Sequence, residues 1–326
     1  MPARPYHTGR SHRVAPGRRS SARQNSADDH AGSTRSSRAG SGAHDGNWRG
    51  IHLLRSTAII EGVVSAAALA PESLVLDLGA GPGTLTAPLA ETGARVLAIE
   101  REASFVARLH RRFDECPNVR VVEADLRVVP LPRKAFQVVA SIPYALSTTL
   151  FRRLLQPAQP AIDAADLVVE WGFAKRMAQR IPRDIETAWW GSRFDLRIVR
   201  RIPTAAFSPA PAVDSAHLAV RRRPDMARRP VAGVVHALLT VAYRESRRTT
   251  REVLATVVPR KRVNGILALA SLAPTVAAGQ VTVSQWAELA RLVAADPTLP
   301  TPPLPRSLDR EKAPGRRAAS HGRRRR

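Results

Sequence analysis

Acidic residues are scarce in this chain: 27 Asp and Glu stand against 51 Lys and Arg, giving a formal net charge of +24 over 326 residues. That surplus goes well beyond what solubility asks, so an anionic polymer is the natural partner, nucleic acid first and a membrane surface second. Cysteine is nearly missing as well. Cys116 stands alone, which excludes an internal disulfide and any cysteine-based zinc site, and no metal is expected. No apolar run reaches the ~18 to 20 residues of a membrane span and no secretory leader opens the chain, so a cytoplasmic protein is expected. Large apolar side chains are scarce at both ends. Residues 1–46 are mostly Arg, Ser, Gly, Ala and His, and residues 296–326 are Pro-rich and end in four arginines. Both are expected to be disordered arms.

Between the arms, strand-like and helix-like runs alternate. Ser56 is placed to cap a helix over TAIIEGVVSAAALA, which Pro71 stops. A first strand begins near Leu74, and then come a helix from Thr84 to Glu91, the strand RVLAI, a helix through Phe105 to Phe113, and the strands VRVVEA and FQVVAS. This rhythm predicts an α/β fold with a parallel sheet covered on both faces. A short helix from Ser147 to Leu155 leads to a fifth strand beginning at Asp166. RFDLRIVRRI and VDSAHLAVRR then read as a late antiparallel pair separated by the Pro-limited turn FSPAP. From about Arg229 the texture is helical, with Ser284 as the cap of the last helix. Domains are therefore expected over residues 47–228 and 229–295, the second small and all-helical.

Chemistry concentrates at the ends of the first four strands. Gly79, Gly81 and Gly83 form a G-x-G-x-G turn between a strand and a helix, where a ligand can approach backbone with no Cβ in the way. Glu100 ends the second strand, where a carboxylate can accept from both ribose hydroxyls. Thr84 stands where a dinucleotide fingerprint requires its third glycine, so a ligand without a pyrophosphate fits better. S-adenosylmethionine is such a ligand. Asp77 can balance its sulfonium charge, and Asp125 can accept from its adenine amino group.

Ser141-Ile142-Pro143-Tyr144 follows the fourth strand and emerges at the same sheet edge. The exocyclic amine of adenine is a poor nucleophile, because its lone pair is delocalised into the ring. Methylating it calls for acceptors that draw the amine hydrogens out of plane, a stacking wall and a close approach to the methyl group. The Ser141 hydroxyl and the Ile142 carbonyl can be the acceptors, Pro143 fixes the backbone, and Tyr144 is the wall. A paired base could not be reached, so the target adenine is unpaired or flipped out.

These motifs, with FSPAPAVDSA, resemble the ribosomal RNA adenine dimethylase family, which includes the Erm macrolide-resistance and KsgA-type methyltransferases. The resemblance covers residues 48–295 and is nearest to Erm proteins. It implies a seven-stranded, Rossmann-like class I methyltransferase sheet with a helical C-terminal domain that contacts RNA. It also implies methyl transfer from S-adenosylmethionine to N6 of an adenine in 23S rRNA, by a monomer, giving resistance to macrolide-type antibiotics. Cofactor contacts would fall on Gly79, Glu100, Asp125 and Ser141. The segment Gly50 to Leu54 would bring His52 and Leu54 to the cofactor as well. Ile51 and Leu53 depart from the family's Gln and Phe in the N-terminal lid. Ser141 departs from its Asn, and that change implies slower transfer or one methyl instead of two. The alternatives are a KsgA-type enzyme of small-subunit rRNA, a DNA adenine methyltransferase and a non-catalytic nucleic-acid-binding relative.

Overall fold

A computed structural model describes residues 52–309. The basic arm expected over residues 1–46, the residues Gly50 and Ile51, and the end of the tail from residue 310 lie outside the described residues. In chain order, a two-residue strand β1 (Leu53–Leu54) precedes helix α1 (Thr57–Ala66). Strict alternation follows: β2 (Leu74–Leu78), α2 (Thr86–Glu91), β3 (Arg95–Glu100), α3 (Ala103–Phe113) and β4 (Val119–Glu123). The chain continues through β5 (Phe136–Ser141), α4 (Ser147–Leu155) and β6 (Ile162–Glu170), then helices α5 (Trp171–Met177) and α6 (Ile185–Arg193). After β7 (Phe194–Ile202), β8 (Phe207–Ser208) and β9 (Ser215–Arg222) the rest is helical: α7 (Arg229–Arg244), α8 (Thr250–Leu254), α9 (Arg260–Leu269), α10 (Val283–Ala295) and a last turn α11 (Arg306–Asp309).

Seven strands form one sheet in the order β4-β3-β2-β5-β6-β9-β7, the α/β class I methyltransferase arrangement. The first five are mutually parallel, whereas β9 runs antiparallel to both β6 and β7. The late antiparallel pair is therefore present. FSPAP is more than a turn, because its Phe207 and Ser208 pair as β8 with Leu54 and Leu53 of β1. Strand order reverses between β2 and β5, and a crevice opens at the carboxyl ends of strands at such a switch. The glycine turn follows β2 and the Ser-Ile-Pro-Tyr turn follows β5, so the fold places both at that crevice.

Period-two alternation divides the core in two. Leu76, Leu78, Val138 and Ala140 face one side with Phe151, Leu238 and Trp286, while Val75, Val139 and Val168 face the other with Val63 and Leu89. Residues of α7 and α10 belong to the same buried cluster as β5 and β6, so the change of texture at Arg229 does not interrupt the core.

Several boundaries differ from expectation. Strand β6 starts at Ile162, four residues before Asp166, because the buried Asp166 carboxylate is met by His217 Nε2 and an Arg221 guanidinium nitrogen, both at 2.8 Å. Trp171 and Gly172 leave that strand for α5, capped by Glu170, whose carboxylate accepts from the Gly172 and Phe173 amides. Helix α1 ends at Ala66, ahead of Ala68 with φ 47°, well before Pro71, and the Ser56 side chain makes no capping bond. The cap of α10 is Thr282, not Ser284, in a capping box with Gln285. The Pro-rich stretch after Asp296 is placed as far as α11 and packs on the helices. Leu299 and Leu308 are buried and the Ala158 amide donates to the Leu308 carbonyl at 2.8 Å. It passes so close to α7 that a methyl group on Gly233 would lie 2.2 Å from the Pro302 carbonyl oxygen.

Candidate active site at the sheet switch point

Gly79, Gly81 and Gly83 have φ of 80°, 54° and 86°, all in the left-handed region that side chains disfavour. Space forbids a side chain too: a methyl group on Gly83 would meet Phe113 Cε2 at 2.9 Å and Leu109 Cδ2 at 3.0 Å. This third glycine lets α3 close on the turn. The turn is tied down from three directions. The Gly79 and Ala80 amides donate to the Ile99 carbonyl at 2.8 and 3.1 Å, and Arg112 of α3 donates to the Pro82 and Gly83 carbonyls at 3.2 and 3.0 Å. The third tie is Glu100, whose Oε2 accepts from the Gly81 amide at 2.8 Å.

Glu100 Oε1 also accepts from the Arg101 and Glu102 amides at 2.7 and 2.9 Å. A carboxylate offers about four lone-pair sites, so three amides leave it room for roughly one further donor. Asp125 lies half-buried after β4. Its carboxylate accepts from the Arg127 amide at 2.8 Å and from Arg127 Nε at 2.9 and 3.0 Å, with Arg101 3.8 Å away. The Arg127 hydrogen bond holds it below the usual carboxylate range. An adenine amino group would have to share this carboxylate with Arg127.

Asp77 behaves differently. It is 1% exposed and accepts from Thr86 Oγ1 at 2.7 Å, and burial pushes its carboxyl up to about 7. Asp77 thus fastens the start of α2 to β2.

The second turn leaves the end of β5. The Ile142 amide donates to the Val168 carbonyl at 3.0 Å, and the Pro143 carbonyl accepts from Leu146 at 2.8 Å. Ser141 is half-buried and the Ile142 side chain is buried at 2% exposure. Pro143 Cδ lies 3.8 Å from where a methyl group on Gly79 would be, so the two turns lie side by side. The Tyr144 hydroxyl and Ser215 Oγ, from the start of β9, are 2.7 Å apart, and burial pushes the phenol pKa up. The His52 ring stacks beside that of Tyr144, with centroids 6.1 Å apart and planes at 28°, and His52 Nδ1 is 2.9 Å from the Pro209 carbonyl oxygen.

Leu54 is 3% exposed in the core with Ile60, Val63 and Phe207, whereas Leu53 Cδ2 lies 3.6 Å from where a methyl group on Gly81 would be. Adjacent strand residues face opposite sides, so the two leucines have different surroundings. Sequence reading also missed Ser215, Arg112 and Arg127. Ser215 lies in the quoted segment VDSAHLAVRR, but nothing local ties it to a tyrosine 71 positions earlier.

The arrangement presents a tight backbone turn, a fixed carboxylate beside it, and an aromatic ring flanked by carbonyls on the adjoining turn. Such a site can hold a nucleoside-bearing donor edge-on while a flat base stacks opposite.

Comparison with known proteins agrees with this geometry. Residues 49–295 match the family described as ribosomal RNA adenine dimethylase. An rRNA adenine N-6-methyltransferase of Bacillus licheniformis is 35% identical over 179 residues, 55% of this chain and 62% of that protein, so the chain matches just under two thirds of that relative's length. Ribosomal RNA small subunit methyltransferase A of Synechococcus sp. (strain RCC307) is 32% identical over 265 residues, 77% of this chain and 96% of that protein. Among solved structures, the 23S rRNA methyltransferase ErmE superposes with a TM-score of 0.63 at 26% identity, over 74% of this chain and 99% of its own. A dimethyladenosine transferase from Plasmodium falciparum shares the fold, with a TM-score of 0.56 at 20% identity over 74% and 96% of the two chains. The chain belongs to the ribosomal RNA adenine dimethylase family, whose methyl donor is S-adenosylmethionine.

Proposed function

We propose that this protein transfers a methyl group from S-adenosylmethionine to N6 of an unpaired or flipped adenine in 23S rRNA, as a cytoplasmic monomer, and so confers resistance to macrolide-type antibiotics. The observation that carries the reading is that the Pro143 turn lies beside the Gly79 turn at the switch between β5 and β2. The donor supplies a methyl group on a sulfonium, which departs as a neutral thioether. Glu100, fixed by three amides, orients the donor through a ribose hydroxyl, and Leu53 together with the bare glycine turn shapes its approach. Tyr144 stacks on the target adenine, held by Ser215 and flanked by His52. Ser141 Oγ and the Ile142 carbonyl accept the amine hydrogens and draw them out of the ring plane, so the nitrogen becomes pyramidal and its lone pair, freed from conjugation, points at the methyl carbon. A nitrogen so held would take the methyl group that the donor supplies and would release its proton to solvent. Ser141 has one short acceptor and favours a single methylation.

The likeness to ErmE supports the 23S reading. A small-subunit target is the second reading, favoured by a match that spans 96% of the Synechococcus relative. Mass spectrometry of 23S and 16S rRNA fragments, after incubation of ribosomal RNA with the purified protein and donor, decides between them. A methylated adenine in 23S rRNA alone is expected; a mark in 16S rRNA alone would transfer the assignment, and no mark in either would end it.

A further inference from the structure

The segment between β7 and β9, residues 203–214, is knotted at its base by a side chain that the methyl-transfer reading leaves unused. Asp214 ends this loop and is half-buried. Its Oδ2 accepts from Arg201 Nε and lies beside Arg201 Nη2, both at 2.7 Å, while Oδ1 accepts from the Thr204 amide at 3.1 Å. Arg201 and Thr204 flank the start of the loop, so its two ends meet on one carboxylate. The Asp214 backbone is held as well, because its carbonyl accepts from the Trp171 amide at 2.9 Å, where α5 begins. Arg201 in turn lies over the Trp171 ring, 5.2 Å from its centroid.

Two parts of the candidate site depend on where this knot sits. The residue after Asp214 is Ser215, whose hydroxyl is 2.7 Å from that of Tyr144. The loop itself carries the second part. Its Ala206 carbonyl accepts from the Arg55 and Ser56 amides at 2.8 and 3.4 Å, Phe207 and Ser208 pair with Leu54 and Leu53, and the Pro209 carbonyl oxygen is 2.9 Å from His52 Nδ1. His52 stacks beside Tyr144 and Leu53 lies beside Gly81. One carboxylate therefore stands behind both the aromatic wall and the chain segment that borders it.

The geometry points to Asp214 as a positioning residue, which acts through Ser215 and the loop to set the Tyr144 wall and the His52–Leu53 segment against the crevice together. The inference rests on the methyl-transfer reading above, and its test separates the two. Methyl transfer to an rRNA fragment, donor binding, thermal unfolding and amide hydrogen exchange are measured for the wild type, Asp214→Ala and Asp214→Asn. At saturating donor the Ala variant should lose roughly fivefold in kcat, because a loosened wall spoils the approach geometry, while S-adenosylmethionine binding by calorimetry stays within about twofold, since the glycine turn has its own ties. Weaker attraction to RNA would not account for the loss, because removing Asp214 makes the protein more positive. The Arg201 side chain is 62% accessible, and an ion pair so exposed adds little to stability, so the melting temperature should fall by less than about 4 °C. Exchange over residues 52–58 should quicken about threefold, with residues 74–78 of β2 unchanged. Asp214→Asn keeps an oxygen for the Thr204 amide and should recover part of the lost rate.

Wild-type kcat and exchange in Asp214→Ala would overturn the inference and leave the methyl-transfer reading intact. A slower rate with unchanged exchange over 52–58 would overturn the link to the N-terminal segment, and faster exchange throughout the chain would show a general loss of fold and overturn the positioning role. A wild type that methylates no rRNA would remove the functional reading, and the exchange comparison would then decide whether the loop knot itself stands.

Discussion

The hydrogen bond between Tyr144 and Ser215 links the stacking wall to the far edge of the sheet, and a double-mutant cycle measures what it does. The hydroxyls are 2.7 Å apart, Ser215 is 0% exposed, and the Tyr144 ring is only half-buried. The two single variants should therefore differ. Tyr144→Phe leaves the Ser215 hydroxyl buried without a partner and costs about 1–3 kcal/mol. Ser215→Ala leaves a phenol that can turn toward water, so it costs nearer ~1 kcal/mol. The double variant removes both groups, and the penalty of the stranded hydroxyl disappears, so it should be no less stable than Tyr144→Phe. In thermal unfolding a kcal/mol corresponds to about 2–4 °C for a chain of this size. Methyl transfer to an rRNA fragment should fall roughly tenfold in each single variant, because an aromatic wall that tilts spoils a near-attack geometry. The double variant should be no slower than the slower single. Fully additive losses in both stability and rate would show that the two hydroxyls act independently, and the positioning role of Ser215 would be abandoned.

Other consequences follow from the same geometry. Burial keeps Asp77 protonated up to about pH 7 in the folded chain, against an ordinary value of 3.8. The folded state thus holds a proton that the unfolded chain has released, and stability is fullest below pH 3.8 and declines as pH rises toward 7, by about 1.4 kcal/mol per unit of pKa shift. Asp77→Asn should flatten that decline in urea midpoints measured from pH 4 to 7.5; an unchanged slope would refute the assignment. Asp166→Ala strands the buried His217 and the Arg221 guanidinium and should cost ~3–5 kcal/mol, read by urea unfolding, where a loss below about 1 kcal/mol would contradict a structural ion network. Glu100→Ala releases the glycine turn and removes the ribose acceptor, so calorimetry with S-adenosylmethionine should show binding weakened at least tenfold, or about 1.4 kcal/mol. Ser141→Asn should raise the proportion of dimethylated adenine in the mass spectrum of the product, and a wild-type ratio would count against the single-acceptor argument.

What could be read from the residues alone followed from local periodicity. Strands β2, β3 and β5 and the glycine turn were legible because a parallel strand buried on both faces is written as an apolar run, and a turn that needs left-handed backbone is written as glycine. Contacts between distant segments were not legible. Leu53 and Leu54 look equivalent until β1 pairs with β8, and that pairing alone sends Leu54 to the core and Leu53 to the glycine turn. Asp77 and Glu100 look like two members of one acidic series at strand ends. Packing makes the first a buried carboxyl bonded to Thr86 and the second a half-exposed acceptor clamped by three amides.

Buried charge was the least legible of all. Arg193 is 2% exposed, yet its guanidinium lies 3.9 Å from the Trp189 ring centroid and donates to the carbonyls of Leu155, Pro157 and Ala158. Burial lowers its pKa to about 9, which still leaves it charged at neutral pH. No counter-carboxylate marks it in the sequence, because carbonyls at the end of α4 do that work.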